Sequence, residues 1–420
     1  MTATETEANA SGGQPQVFSG LRVLDLSRWM AGEFATKFFG DFGADVIKIE
    51  KPGEGSLTRR WGPFPRDIPD PEASALFLHL NVNKRSVTLN LACPTGRDLL
   101  LRLAATADLI VESFRPGTLE RLGLGPAELQ QARRPAVVTR ISAFGQDGPY
   151  RDYEATGLVL QAMGGPMNAT GRADLPPHRK PGLLEHYTIG RMAAEASLGG
   201  LMSARRSPEA AGAVIDVAGM ETLLAGADRR ASYLLTAAYS GMNAPRGVRS
   251  AHRGAATFTG AYRCLDGFVM LYVTNAEFWA RLVDLIAGDD EEFRQAYRGR
   301  FDLGQGPDFD AFIDRVRAWF AARPKLEIME LGEAMRIPLT AFLDVSELTA
   351  SPHFRGRGCF VPATHPVAGT LEYLGPPWRM RSGWQLRRPA PLLGADTADL
   401  LGEVGVGEPE LRVLRAQGVI

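Results

Sequence analysis

The pair Glu185-His186 puts a carboxylate next to an imidazole, shortly before an alanine-rich run that begins at Gly190. A carboxylate can attack an acyl carbon, and an imidazole can act as a nucleophile or as an acid and base near neutral pH. Adjacent side chains near a helix start point in different directions, so neither residue can replace the other without a backbone shift. The pair is therefore a candidate catalytic site, and the alternative is a polar histidine that its neighbours satisfy.

Basic residues gather in three stretches, each near a predicted strand. A single pair of cations is more often a solvated surface than a ligand site, but three groups together favour an anionic ligand. Flexible cations and the amides of glycine turns are the groups that bind phosphates. The cations are Lys48, Lys51, Arg59 and Arg60 in GADVIKIEKPGEGSLTRRWGP, Lys84 and Arg85 in NVNKRSV, and Arg115 and Arg121 in ESFRPGTLERLG.

Short β-branched runs alternate with helical patterns from Gly20 onward, which predicts an α/β fold with an open, mostly parallel sheet. Ligands on such sheets bind beyond the carboxyl ends of the strands, so loops such as Ser142 to Gly148 are expected to shape the site. No Walker loop is present, and no dinucleotide glycine fingerprint follows a strand. The predicted strands are Leu21 to Ser27, Ala44 to Glu50, Ser86 to Leu91, Asp108 to Phe114 and Ala136 to Gly145.

The chain has 420 residues, which is longer than one hydrophobic core usually serves, so two domains are expected. The loop Tyr239 to Gly254 interrupts the helical pattern and predicts a crossing between domains. We expect a disordered leader over 1–19, a large domain over 20–225, a smaller α/β domain over 226–342, and a segment over 343–420 that returns to the large domain.

The composition excludes several classes of protein. With 47 basic and 48 acidic residues the formal net charge is -1, which argues against binding to nucleic acid or to a membrane through a basic surface. Cys93, Cys264 and Cys359 lie far apart without metal-ligand spacing, which favours a reducing, cytoplasmic location and no metal site. No apolar run approaches the roughly 20 residues that span a bilayer.

The order and spacing of seven motifs resemble family III CoA-transferases, which include formyl-CoA transferase, carnitine CoA-transferase and the α-methylacyl-CoA racemases. The resemblance runs from about Gly20 to the C-terminus. It implies a Rossmann-like large domain, a small domain, and two ring-shaped chains interlocked as a dimer. The motifs are GLRVLDLSRWMAG, GADVIKIEKPGEG, NVNKRSVTLNL, ESFRPG, SAFGQDGPY, GLVLQAMGG and APLLGADT.

The same resemblance implies that coenzyme A or an acyl-CoA is a substrate, with a carboxylic acid as acceptor and no tightly bound cofactor. Several cations of the three basic stretches fall on positions that contact CoA in the family, which agrees with their charge. The implied CoA-binding residues are Lys51, Asn83, Lys84, Arg85, Phe114, Arg115 and Arg121.

The sequence departs from the family at the catalytic position. In the family an aspartate attacks the acyl-CoA carbonyl, and His186 occupies that position here. Met30 replaces a glutamine that lies over the aspartate in the formyl-CoA transferase branch, and a methionine cannot donate a hydrogen bond. The loop Tyr239 to Gly254 also lacks that branch's glycine run.

Three interpretations follow for the catalytic position. His186 or Glu185 carries out chemistry, the site is silent, or the alignment is shifted and Asp174 is the acid. A silent site resembles the subunit of benzylsuccinate CoA-transferase that lacks the aspartate, which predicts a homologous partner subunit. The alternatives are a self-sufficient homodimeric transferase, a CoA-thioester racemase, and a CoA-binding scaffold without catalytic activity.

Aromatic and methionine side chains are candidates for an apolar acyl pocket, although residues of these types more often pack in a core. A bulky or aromatic acyl group would fit such a pocket. The candidates are Trp29, Met30, Trp61, Tyr187 and Met242.

Overall fold

The structure is a computed structural model, and its contacts divide the chain into two units. One unit comprises Met1–Arg246 with Arg357–Ile420, and the other comprises Gly247–Gly356. The sequence places the boundaries at 226 and 343 instead, and those boundaries stay a prediction. The structure describes residues 16–133, 136–168, 170–171, 175–207, 212–225, 235, 237–241, 259–301, 303, 306–380 and 383–420.

The first unit is built on a six-stranded parallel sheet, which confirms the predicted α/β class. The strand order is β3-β2-β1-β4-β5-β6, so the direction of strand addition reverses between β1 and β4. A crevice for ligands forms at such a reversal, beyond the carboxyl ends of the two strands. The strands are β1 Arg22–Leu26, β2 Asp45–Glu50, β3 Lys84–Thr88, β4 Leu109–Glu112, β5 Val137–Ser142 and β6 Val214–Ala218.

Helices cover both faces of this sheet because successive strand residues point to opposite sides. Val23 of β1 packs in one apolar cluster with α1 and α7, whereas Leu24 packs in a second cluster with α3. The helices of this part are α1 Met30–Asp41, α2 Ala75–Leu80, α3 Pro94–Ala104, α4 Thr118–Arg121, α5 Pro126–Ala132, α6 Gly157–Met163, α7 Leu184–Arg206 and α8 Gly219–Ala225.

The second unit has its own core, in which Trp279, Phe312 and Phe320 are fully buried. Its sheet is antiparallel, with β7 Gly260–Cys264, β8 Gly267–Leu271 and β9 Leu339–Ala341 in that order. β7 and β8 form a hairpin, since Cys264 pairs with Gly267 across a two-residue turn. The helices are α9 Ala276–Ala287, α10 Glu291–Tyr297, α11 Pro307–Ala321, α12 Lys325–Ala334, α13 Val345–Ala350 and α14 Pro352–Gly356.

The C-terminal segment packs on the first unit. It contains a hairpin of β10 Phe360–His365 and β11 Gly369–Leu374, followed by the helices α15 Thr397–Glu403 and α16 Glu408–Ala416. Leucines of both helices belong to the apolar cluster around α3. The Asn90 amide donates a hydrogen bond to the Val419 carbonyl, so the last residues cover the chain just after β3.

Four charged side chains with no solvent exposure join β1, β2, β3 and α1, and we call Asp25, Glu33, Lys48 and Lys84 the buried quartet. The Lys48 and Lys84 amines lie 3.2 and 2.9 Å from the Asp25 carboxylate, and Lys48 also lies 3.3 Å from Glu33. The charges balance, and a buried charge is tolerated when it is paired and hydrogen-bonded.

Hydroxyl and amide groups complete the pairing of the buried quartet. The Thr36 hydroxyl donates to Asp25 at 2.7 Å, and the Thr58 hydroxyl donates to Glu33 at 2.7 Å. Burial by itself raises the pKa of the Asp25 carboxyl, but Lys48 and Lys84 outweigh that effect and hold the pKa well below its usual range. Asp25 is therefore ionised at neutral pH.

Two general properties complete the description of the fold. Among the described residues, the helices include none with the length and apolar composition that a membrane span requires. Within the same residues, the histidine, cysteine and acidic side chains form no group that could hold a metal ion.

We expect Asp25→Asn to lower the free energy of unfolding by about 3–5 kcal/mol, because it leaves two buried lysines with one carboxylate fewer. Urea unfolding measures the change. Glu54→Gln is the matched control, since Glu54 also pairs with a lysine, Lys51, but both side chains are about half exposed. An equal, small effect of the two substitutions would contradict the role of the quartet.

The pH dependence gives the same prediction a second test. A carboxyl whose pKa is lowered on folding stabilises the protein above its unfolded pKa, here 3.8, and that stabilisation is lost as the pH falls below it. The difference between wild type and Asp25→Asn should therefore stay constant from pH 7 to pH 5 and shrink below pH 3.8. A difference that already shrinks near pH 6 would show that another group is responsible.

Candidate active site

A cleft of about 310 Å³ lies at the carboxyl edge of the large sheet, where the strand order reverses. Residues that directly follow β1, β4 and β5 line it, as expected for a fold of this class. The Arg28 amide donates to the Ser113 hydroxyl at 3.0 Å and thereby joins the loops after β1 and β4. Helix α7 closes one side of the cleft with His186 and Ile189.

Two arginines approach Gly117, the residue before α4, and a third arginine lines the cleft. A Cβ atom at Gly117 would lie 3.1 Å from the Arg151 guanidinium and 3.4 Å from that of Arg121. Arg115 lines the cleft and forms an ion pair with Glu154, in which both side chains are about 70 % exposed, at 68 % and 75 %. Because such an exposed pair is weak, a ligand phosphate can displace the carboxylate.

Sequence reasoning missed Arg151. Its side chain lines the cleft together with Tyr153 and Glu154, in the stretch that follows the loop SAFGQDGPY. A signal was present, since Arg151 comes one residue after a loop that was expected to shape the site. What the sequence did not indicate is that this residue returns to Gly117, 34 positions earlier (151 minus 117).

The structure does not bring the other predicted CoA-binding residues to this cleft. Lys51 lies at the carboxyl end of β2 and pairs with Glu54 on the surface. Asn83, Lys84 and Arg85 lie at the amino end of β3, the opposite edge of the sheet from Ser113.

The partners of these three residues explain their positions. The Asn83 amide donates to Asp41 at 3.1 Å, Lys84 belongs to the buried quartet, and Arg85 pairs with Asp45 and Glu403. Lys84 has no solvent-exposed surface, so its amine satisfies carboxylates inside the protein. The geometry gives no support to CoA contacts of these residues, and their role stays a prediction.

Glu185 is buried, in the first turn of α7. Its side chain is 4 % exposed and accepts a hydrogen bond from the Gln161 amide at 2.7 Å. The carboxylate packs against Gly157, where an added Cβ atom would lie only 1.7 Å from its Oε1 atom. Because this contact fills the space beside the carboxylate, Glu185 is held against α6 and is not among the residues that line the cleft.

His186 lines the cleft, and Trp29 fixes its ring. The Trp29 indole nitrogen lies 3.1 Å from Nε2 of His186, and the two rings meet edge to face. An indole N–H can only donate, so Nε2 accepts and the proton of the neutral imidazole resides on Nδ1. Burial lowers the pKa of the His186 imidazole, and the Glu185 carboxylate, 3.8 Å away, opposes part of that shift.

The candidates for an acyl pocket divide into three groups. Trp29 lines the cleft and contacts Trp61 edge-on at 5.0 Å between ring centroids. Met30 is completely buried in the core, and Tyr187 packs against Phe34, so neither lines the cleft. Met242 and the alternative acid Asp174 lie outside the described residues, as does most of the loop Tyr239 to Gly254.

Comparison with known proteins shows which family this sequence matches. The sequence profile described as CoA-transferase family III matches residues 18–397. A formyl-CoA:oxalate CoA-transferase of Streptomyces avermitilis is 30% identical over 423 residues, which cover 96% of this chain and 100% of the relative.

Two further relatives agree with this match. The subunit BbsE of the succinyl-CoA:(R)-benzylsuccinate CoA-transferase of Thauera aromatica is 29% identical over 420 residues, covering 96% of this chain and 98% of the relative. The crystal structure of a CAIB/BAIF family protein from Brucella suis has a TM-score of 0.80 and 25% identity, and the match covers 93% of this chain and 100% of that one.

The packing of Glu185 against Gly157 leads to a prediction. Gly157→Ala should destabilise the protein by about 1–3 kcal/mol, because the new Cβ atom displaces the buried carboxylate and breaks its bond to Gln161. Urea unfolding measures the effect. Gly199→Ala, on α7 with open space around the new atom, is the control and should be neutral or stabilising. Two variants of equal stability would show that Glu185 is free to move.

Proposed function

This chain belongs to CoA-transferase family III, and we propose that it binds an acyl-CoA in the described cleft as the subunit with a degenerate active site in a heteromeric CoA-transferase. As a member of the family it acts on CoA thioesters, which are substrates. The proposal goes further in assigning the catalytic carboxylate to a partner subunit.

The observation that carries the proposal is the hydrogen bond from Trp29 to His186. Where the resemblance expects a nucleophilic aspartate, the chain has an imidazole whose only free lone pair already accepts a hydrogen bond from the indole. Nucleophilic catalysis needs that lone pair, and an acyl-imidazole would not replace the anhydride that lets a carboxylate exchange with CoA. The site of this chain is therefore proposed to be silent in the acyl-transfer step.

The geometry also disfavours the alternatives that use Glu185. A self-sufficient transferase would need this carboxylate to face the acyl group, but it is bound to Gln161 and packed on Gly157. A racemase would need two bases on opposite sides of one carbon atom. Glu185 and His186 are not placed in this way, and the imidazole has no free lone pair. A CoA-binding scaffold without catalytic activity is the second candidate function.

The heteromeric state is supported by a named relative. The Thauera aromatica relative is described as a subunit of its CoA-transferase, and its similarity extends over nearly the whole of this chain. We propose a homologous partner subunit that carries the aspartate, in an interlocked dimer of the kind that the family resemblance implies. A cytoplasmic location fits the same proposal.

The arginines at the cleft are proposed to bind the phosphates of CoA. Arg121 and Arg151 meet around Gly117, and Arg115 lines the same cleft. Guanidinium groups suit phosphate oxygens because they can donate two parallel hydrogen bonds. Phe114 lines the same cleft and offers an apolar surface beside these charges.

We expect Arg115→Ala and Arg151→Ala each to weaken CoA binding at least about tenfold at low salt, because each removes a charge-assisted hydrogen bond. Isothermal titration calorimetry measures the affinity. Arg102→Ala is the control, since Arg102 pairs with Asp98 on α3 and does not line the cleft. Unchanged affinity in both cleft variants would remove the phosphate site.

We expect the chain alone to show no CoA transfer from formyl-CoA to oxalate or from succinyl-CoA to (R)-benzylsuccinate, the donors and acceptors in the names of its two sequence relatives. Co-expression with a homologue that carries the aspartate should give an active complex. In that complex, Asp→Ala in the homologue should abolish transfer, whereas His186→Ala should cost at most about tenfold, because only the carboxylate forms the covalent intermediate.

One outcome would contradict the heteromer, and another would contradict the interlocked dimer. Full activity of the chain alone would return the catalytic role to its own residues. Light scattering provides the second test, because interlocked chains have no separate folded monomer. A stable species of 45.5 kDa on dilution, the mass of one chain, would exclude the interlocked dimer.

A further inference from the structure

Contacts other than the one with His186 fix the position of the Trp29 indole. Trp29 directly precedes α1, whose start is fixed by the buried quartet through Glu33, and its ring packs edge-on against Trp61. The N–H group of a fixed indole is a donor of fixed direction. Because it points at Nε2 of His186, it selects one tautomer of the imidazole, the one protonated on Nδ1.

Nδ1 of His186 has no hydrogen-bond partner in the part of the chain that the structure describes, while Nε2 has the indole. The side chain is 13 % exposed and its surface belongs to the cleft. A partly buried N–H group without a protein acceptor is satisfied by water or by a ligand. His186 therefore presents a neutral donor to whatever occupies the cleft.

The other roles of an imidazole are excluded by the same contact. A nucleophile or a general base needs a free lone pair, and that of Nε2 is occupied. Protonation of Nε2 would set two N–H groups against each other at 3.1 Å. Burial separately lowers the pKa of His186. Hydrogen-bond donation through Nδ1 is what remains.

From these contacts we infer that His186 donates a hydrogen bond through Nδ1 to the carbonyl oxygen of the acyl group of a bound CoA thioester. The inference rests on the proposed function, because the arginines of the same cleft bind the phosphates of that ligand. A thioester carbonyl is an uncharged acceptor, and a neutral N–H matches it without bringing a further charge into the cleft. In this role His186 orients the acyl group, and no bond is made to it.

The tautomer is tested first, without any ligand. Nitrogen-15 NMR of protein labelled only at its six histidines distinguishes a protonated ring nitrogen from an unprotonated one, and the loss of one signal set in His186→Asn assigns His186. We expect protonation at Nδ1 at pH 7.5. Trp29→Phe should abolish this preference, whereas Trp61→Phe should retain it, since Trp61 touches Trp29 but not His186. Protonation at Nε2 in the wild type would overturn the inference.

The contact with the acyl group is tested by calorimetry with acetyl-CoA and with free CoA, which lacks the thioester carbonyl. His186→Leu should weaken acetyl-CoA binding about three- to tenfold, the range of one neutral hydrogen bond, and leave CoA binding unchanged. His186→Asn, whose amide can donate from nearly the same place, should recover most of the loss.

The outcomes separate the two claims. Equal effects of His186→Leu on both ligands, or none on either, would overturn the role of His186 while CoA binding stands. Failure of the wild type to bind CoA at all would overturn the proposed function instead. Circular dichroism of the leucine and asparagine variants establishes that each is folded.

Discussion

The pairing of Asp25 with two lysines that have no access to water constrains most of the large unit. Because an unpaired charge in the interior is strongly destabilising, the carboxylate and the two lysines must stay together. Their pairing holds β1, β2 and β3 in one register and holds α1 against them. The Ser27 amide also donates to Asp25, at 2.9 Å, which fixes the chain as it leaves β1. Trp29 follows two residues later, so the position of the indole at His186 derives from charges buried beneath the cleft.

Much of the fold could be predicted from the sequence because strands depend on patterns of apolar residues over short stretches of the chain. The alternation of apolar residues in LRVLDL and DVIKIE predicts strands that agree with β1 and β2 to within one residue at each end. The ion pairs of the buried quartet could not be predicted from such local patterns. Asp25, the partner of Lys48 and Lys84, lies 23 and 59 residues away from them, so no local pattern connects these residues.

The site was predicted in part, for a similar reason. The sequence drew attention to Glu185 and His186, but it treated them as a pair because they are adjacent. In the structure each has a different partner, Gln161 for the carboxylate and Trp29 for the imidazole, at separations of 24 and 157 residues. Residue types thus indicated where chemistry is concentrated, whereas the chemical state of each group depends on contacts made only in the folded chain.

The packing of the two C-terminal helices against the α3 face of the sheet has a consequence for folding. Leu400, Leu411 and Leu414 fill the same apolar cluster as Leu24 and Leu100, and Val419 bonds to the chain after β3. The face of the sheet that α3 begins to cover is therefore completed by residues far along the chain from β1. Because contacts between residues far apart in sequence form slowly, the α3 face of the large sheet is expected to be completed later in folding than the α1 face, whose buried residues lie between Phe18 and Leu223.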